Sequence, residues 1–332
     1  MVTSRVAVVA ALALVQTATC RLVPAPCGPH AQRSTASLSS LLRLQGGSTD
    51  AVDVTEVTVV PTQPFEGQKP GTSGLRKKTK VFMQPNYLEN FVQSIFDSLP
   101  EAELKGATLV VSGDGRYHNA AAIQTICRMA AANGVARVWV GVNGLLSTPA
   151  ASAVIREREG GAASGGIILT ASHNPGGPEN DFGIKYNVRN GGPALEAFTD
   201  AVHARTGEIS AYKTCASLPH IDLSTTGRHV FGNSFEVEVI DSAEDWLALI
   251  RRVFDLPKIR ALLAREDMSF VMDGMHGVAG PYAAYSGDGN PHAAPRTQGC
   301  IMFMLAFVAC VACVACVACV ACVACAAQLC VC

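Results

Sequence analysis

The chain has 332 residues, a formal net charge of −1, 49% hydrophobic residues and only 16% charged ones. That balance gives no electrostatic footprint for nucleic acid as a partner. Nine of the 13 cysteines fall between Cys300 and Cys332. The rest of the chain therefore shows neither a disulfide framework nor paired CxxC zinc spacing, and it reads as a protein that works with reduced thiols.

Residues 1–50 predict a leader. Arg5 precedes the apolar run 6–15, and the small residues Thr17, Ala18 and Thr19 follow, as in a signal peptide. Residues 21–49 carry Arg21, Arg33 and Arg43 and no acid, the composition of a transit peptide. Together they resemble a bipartite leader, with delivery to a plastid or other organelle as the expectation and a cytoplasmic location as the alternative.

Folded sequence is expected from about Gln63. A helix is predicted over residues 86–98. The Val-rich run 107–112 is a buried strand, with a turn at 113–116. An Ala-rich helix over 118–133 places Ile123, Ile126, Cys127 and Ala130 on one face and stops at Gly134. A second strand covers 138–141. Thr148 is expected to cap a helix with Pro149 at its first position, and a third strand covers 166–170. Strands alternating with helices imply a parallel sheet covered on both faces. Right-handed crossovers then gather the loops after the strands at one sheet edge, where ligands bind.

A second unit is expected near Phe235: a strand over 235–240, a helix capped by Ser242 and running to Phe254, a helix over 257–265, and a strand over 269–273. Residues 308–325 are six tandem copies of Val-Ala-Cys, and no charge occurs from Ile301 to Cys332. Hydropathy alone would read a membrane span there. A perfect three-residue repeat puts Cys on every face of a helix, so a translated nucleotide repeat is the preferred reading. A membrane partner is expected only if that tail is real.

The strongest chemical signal is Thr170-Ala-Ser-His-Asn-Pro-Gly-Gly177, directly after the third strand. Pro175, Gly176 and Gly177 force a tight loop that lets the backbone approach a ligand. Ser172 is a candidate nucleophile and His173 a candidate proton carrier. A Ser-His pair serving only the turn is the bland alternative.

The run TASHNPGGP, followed by DFGIKYN, resembles the active-site loop of the phosphohexomutase superfamily, most of all its phosphoglucomutase branch. Gly71-Thr-Ser-Gly-Leu-Arg76, Asn190-Gly-Gly-Pro193, the segment Val239-Ile-Asp-Ser242 and Asp273-Gly-Met-His-Gly-Val-Ala-Gly-Pro281 are similar to further motifs, in the family's order. The resemblance implies a phosphoserine at Ser172, with His173 and Lys185 moving protons and Thr72, Ser73 and Arg76 binding phosphate. It implies hexose phosphates as substrates, interconversion of glucose 1-phosphate and glucose 6-phosphate, a glucose 1,6-bisphosphate intermediate, and Mg²⁺ bound through the Ser172 phosphate. Asp114 and Arg116 are as readily turn residues as site residues. Lys77, Lys78 and Lys80 read as a solvated basic face, and His276 as structural or distal to the chemistry.

The implied fold is α/β: a mixed, largely parallel sheet with helices on both faces over residues 60–225, then a truncated second α/β domain over 230–285 and a low-complexity tail over 286–332. The family's carboxylate-rich metal loop, Asp-x-Asp-x-Asp-Arg, does not occur in the chain. A non-catalytic phosphosugar-binding remnant and a related phosphomannomutase or phosphoglucosamine mutase are the alternatives. Oligomeric state is left open.

Overall fold

Short Val- and Ile-rich runs set the sheet. A computed structural model describes residues 56–71, 73–232, 234–263, 265, 267 and 277–284. The expected leader, Thr72, the strand over 269–273, His276 and the repeat tail lie outside the described residues.

In chain order the elements are β1 (Thr58–Pro61), β2 (Leu75–Lys78), α1 (Thr79–Phe82), α2 (Tyr87–Ser98), α3 (Glu101–Leu104), β3 (Thr108–Gly113), α4 (Asn119–Ala132), β4 (Arg137–Gly141), α5 (Thr148–Glu157), β5 (Ala163–Leu169), β6 (Asp181–Val188), α6 (Glu196–Glu208), β7 (Ala211–Thr214), β8 (Gly227–Phe231), β9 (Phe235–Ile240), α7 (Glu244–Val253), α8 (Leu256–Leu263) and α9 (Ala279–Ala284). The main sheet runs β2-β6-β5-β3-β4-β9-β8. Its four central strands, β5, β3, β4 and β9, are mutually parallel. Both edges are antiparallel, β2 on β6 and β6 on β5 at one side, β8 on β9 at the other. The sheet is mixed, as expected, with α helices on both faces.

Side-chain alternation explains the two layers. Leu109 and Val111 of β3, Val138 and Val140 of β4, and Ile167 and Leu169 of β5 point into one core with Phe91, Ile95, Ile123 and Ile126 of α2 and α4. Val110, Trp139 and Ile168 point the other way, into a second core with Ala150 and Val154 of α5 and Trp246 and Leu247 of α7. Cys127 is fully buried in the first core, and burial pushes its thiol up to about 12. It is a packing residue, chemically quiet.

Two expectations are corrected. Ser147, not Thr148, caps α5: its side chain accepts from the Ala150 amide, and Pro149 sits in the first turn. Asp241, not Ser242, satisfies the start of α7, accepting from the amides of Ala243 and Glu244. Phe235–Ile240, the first strand of the expected second unit, pairs in parallel with β4 and so extends the main sheet.

Helix α9 is tied to this framework. The amide of Ser147 donates to the Tyr282 hydroxyl at 2.8 Å, and the Tyr282 ring meets Trp246 edge-on. Burial pushes the Tyr282 hydroxyl up to about 12, so it stays neutral. Tyr282→Phe would leave that buried amide without its acceptor. The expected cost is about 1–3 kcal/mol in thermal or denaturant unfolding.

Candidate functional site

Strand order places the site. From β3 the chain crosses through α4 to β4 on one side; from β4 it crosses back through α5 to β5 on the other side of β3. The two helices cover opposite faces, as right-handed crossovers in opposite directions require. The connections therefore diverge between β3 and β5, and a crevice for ligands opens beyond the carboxyl ends of strands at such a switch point. The loop after β3 carries Asp114 and Arg116, and the loop after β5 carries Ser172 and His173.

Ser172 has a left-handed backbone, φ 56°. For a residue with a Cβ this conformation costs on the order of 1 kcal/mol and persists only where surroundings impose it. The surroundings are specific. The Ser172 amide donates to Thr170 Oγ1 at 3.0 Å, and the Ser172 carbonyl accepts from Arg116 Nη2 at 2.7 Å. Arg116 Nη1 also donates to the Asp181 carbonyl at 2.9 Å.

Arg76 reaches the serine directly, its Nη2 donating to Ser172 Oγ at 2.6 Å. It does so from β2, the outer strand, where it pairs with Gly183 of β6. A Cβ at Gly183 would lie 3.1 Å from Arg76 Cγ and 2.2 Å from the Thr170 carbonyl oxygen. The bare glycine therefore lets β5 and β6 close and lets the arginine pass over the strand.

Lys185 lies two residues beyond Gly183, on the same face of β6, and is only 7% exposed. It sits inside the strand, paired with Ile168. An added Cβ at Gly74 would lie 2.6 Å from Lys185 Cβ, so the lysine abuts the turn in which Gly71 and Gly74 exchange both backbone hydrogen bonds. Ser73, exposed, is in that turn, and His173 is exposed beside Ser172. Thr72 is outside the described residues.

Several partners of the loop escaped sequence reasoning. Thr79 Oγ1 donates to the carbonyls of Gly177 and Asn180. Asp181 accepts from Asn174 Nδ2 at 2.8 Å and pairs with Lys78 at 2.8 Å. Lys78 thus belongs to the loop's support and not to a plain solvated face. Lys80, by contrast, pairs with Glu179 with both side chains largely exposed. The Lys78 and Asn174 contacts hold the Asp181 carboxyl below the usual carboxylate range. A depressed carboxylate stabilises the fold above its unfolded value, and that contribution is lost as pH falls through its folded value. Protection of the amides in residues 172–181, taken relative to the intrinsic exchange rate at each pH, is therefore expected to fall below the ordinary Asp range, and Asp181→Asn to remove that acid dependence.

The residues fit an anion better than a cation. Asp114 Oδ2 is committed to Arg116 Nε and the Thr170 hydroxyl, and Asp181 to Lys78 and Asn174. Among the described residues no three His, Cys, Asp or Glu side chains converge to hold a metal. Hard divalent cations want several anionic oxygens, so these residues do not make a Mg²⁺ site of their own. Among the described residues no helix is long and apolar enough to cross a membrane.

Residues 67–213 match the family model for the α/β/α domain I of phosphoglucomutase/phosphomannomutase. Over 234 residues the chain is 58% identical to the probable phosphoglucomutase, cytoplasmic 2, of Arabidopsis thaliana, covering 69% of this chain and 40% of that protein. It is 57% identical over 233 residues to the cytoplasmic phosphoglucomutase of Pisum sativum, covering 68% and 40%. A crystal structure of the exocytosis-sensitive phosphoprotein pp63/parafusin, a phosphoglucomutase from Paramecium in its open form, superposes with a TM-score of 0.67 at 46% identity, covering 73% of this chain and 46% of that one. The chain spans about 40% of the length of these curated relatives. A serine loop at the switch point, an arginine on its hydroxyl and this degree of identity agree: the chain belongs to the phosphoglucomutase branch of the phosphohexomutase superfamily, and residues 67–213 are its domain I.

Proposed function

We propose that this chain carries the phosphoserine of a phosphoglucomutase and that Ser172 holds the phosphoryl group. The observation that carries the reading is the 2.6 Å hydrogen bond from Arg76 to Ser172 Oγ, on a loop at the sheet's switch point. A planar guanidinium is a strong partner for phosphate oxygens.

In the proposed reaction a free hydroxyl of a hexose monophosphate attacks the phosphorus on Ser172. The new O–P bond forms as the Oγ–P bond breaks, giving a 1,6-bisphosphate. The attacking hydroxyl loses its proton to a neighbouring base, for which exposed His173 is the candidate. The bisphosphate turns over and returns its other phosphate to Ser172, with Lys185 assigned to proton transfer at the released hydroxyl. Phosphoryl transfer asks the protein mainly for positioning and charge stabilisation, which Arg76 supplies at the serine. Ser73, in the adjoining turn, and Thr72 are proposed to bind phosphate. Mg²⁺ has one anchor among these residues, a phosphate on Ser172.

Glucose is the proposed sugar, on the strength of the relatives' names. The test is conversion of glucose 1-phosphate to glucose 6-phosphate with Mg²⁺, run beside the mannose and glucosamine phosphates. Faster turnover of either competitor would overturn the sugar assignment, and no conversion of any of them would overturn mutase activity for this chain. The same names support a cytoplasmic location over an organelle. Import of a fluorescent protein fused to residues 1–50 into plastids would reverse that reading.

A further inference from the structure

The loop's two supports close into a ring. Asp114 Oδ2 accepts from the Thr170 hydroxyl at 2.6 Å and from Arg116 Nε at 2.9 Å. Thr170 Oγ1 accepts from the Ser172 amide, and Arg116 Nη2 donates to the Ser172 carbonyl. One carboxylate thus governs, through two side chains, both backbone polar groups of Ser172. The Arg116 and Asp114 side chains are 7% and 11% exposed, so the pair is almost dry. Thr170 is 2% exposed.

Each link has a directional reason. A threonine hydroxyl has one proton and can also accept. With its proton committed to Asp114, its lone pairs face the Ser172 amide. The guanidinium fork donates in one plane to Asp114, to the Ser172 carbonyl and to the Asp181 carbonyl, which the point charge of a lysine could not do at once. The ring spans both loops of the switch point, since Asp114 and Arg116 follow β3 while Thr170 and Ser172 follow β5. The described hydrogen bond from Arg76 reaches Ser172 at Oγ, whereas the ring holds its backbone polar groups.

We infer that Asp114, Arg116 and Thr170 form a positioning ring that imposes the left-handed backbone of Ser172 and so aims its Oγ at the transferred phosphoryl group. None of the three is assigned contact with substrate; they act through the serine. The consequence for transfer rests on the phosphoserine reading above, whereas the consequence for backbone order does not.

Two readouts separate the claims, both on the full chain. The first is hydrogen exchange at the Ser172 amide. Thr170→Val keeps side-chain shape and removes the hydroxyl, so exchange there is expected to rise about tenfold or more, the scale of one lost hydrogen bond. Amides of Val110 and Val111 serve as the control for global stability, and Thr170→Ser should recover most of the protection. The second is the rate of phosphate uptake from labelled glucose 1,6-bisphosphate. At saturating donor, Thr170→Val is expected to slow it about a hundredfold, with the half-saturating concentration within about twofold, as misaimed attack predicts. Should Thr170→Val fail to fold, Thr170→Ala, which also removes the hydroxyl, is measured in its place with the same expectations. Wild-type protection at Ser172 in a folded ring variant overturns the inference. Lost protection with an unchanged uptake rate overturns its catalytic part. If the unaltered chain takes up no label, the phosphoserine reading fails, and the exchange arm alone decides the ring.

Discussion

Ser172→Ala is expected to abolish phosphate uptake from glucose 1,6-bisphosphate, a fall of at least about 10⁴-fold, because no other group replaces a covalent carrier. Its unfolding should stay within about 1 kcal/mol of the parent, since the half-buried side chain gives up one described contact, that with Arg76. Ser172→Gly separates the two properties. It loses the same hydroxyl and relieves the left-handed strain, so it should be more stable than Ser172→Ala by about 1 kcal/mol and equally inactive. Denaturant unfolding of the pair and a label-uptake assay check both halves. Ser172 would then be a position where order is held against local preference for the sake of reactivity.

Gly183→Ala is expected to be the most damaging small substitution at the site. The added Cβ would stand 2.2 Å from the Thr170 carbonyl oxygen and 3.1 Å from its carbon, both backbone atoms that no rotamer change can move. Relief requires β6 to part from β5, which also carries Arg76 away from Ser172. The expected cost is about 3 kcal/mol or more, seen as a fall in Tm of roughly 6–12 °C. Phosphate uptake should fall with it. Gly207→Ala is the matched control: it lies in α6 with nothing within 4 Å of its Cβ, and should raise stability by about 0.5–1 kcal/mol.

What could be read from residues alone follows a physical divide. Strands β3, β4 and β5 announce themselves because their interiors are buried on both faces and so are dominated by apolar and small residues. The long helices α2 and α4 show a single apolar stripe. Strands β2 and β6 are harder to see. Arg76, Lys77 and Lys78 occupy three of the four residues of β2, and Asp181 and Lys185 interrupt β6. These polar residues are in strands because they face the site or the sheet edge, and what pairs them lies far away in the chain. β8 is short, polar and at the other edge, and is hidden for the same reason.

The site divides likewise. Motifs point to Ser172, Arg76 and Lys185, and the first two are in contact across 96 residues of chain. Arg116 looked like a turn residue because its neighbours, Asp114 and Gly115, form one. Its guanidinium spans 56 residues to the Ser172 carbonyl, and no local pattern encodes that reach. A signal was available in the topology: Asp114 and Arg116 follow the strand that borders β5, at the point where the crossovers diverge.

The most direct measurement is to incubate the chain with glucose 1,6-bisphosphate, quench it, and map covalent phosphate by peptide mass spectrometry. Phosphate on Ser172, discharged on addition of glucose 1-phosphate and absent from Ser172→Ala, is the predicted result. An unmodified Ser172, or phosphate on another residue that Ser172→Ala leaves in place, would contradict the assignment of Ser172 as the phosphoryl carrier.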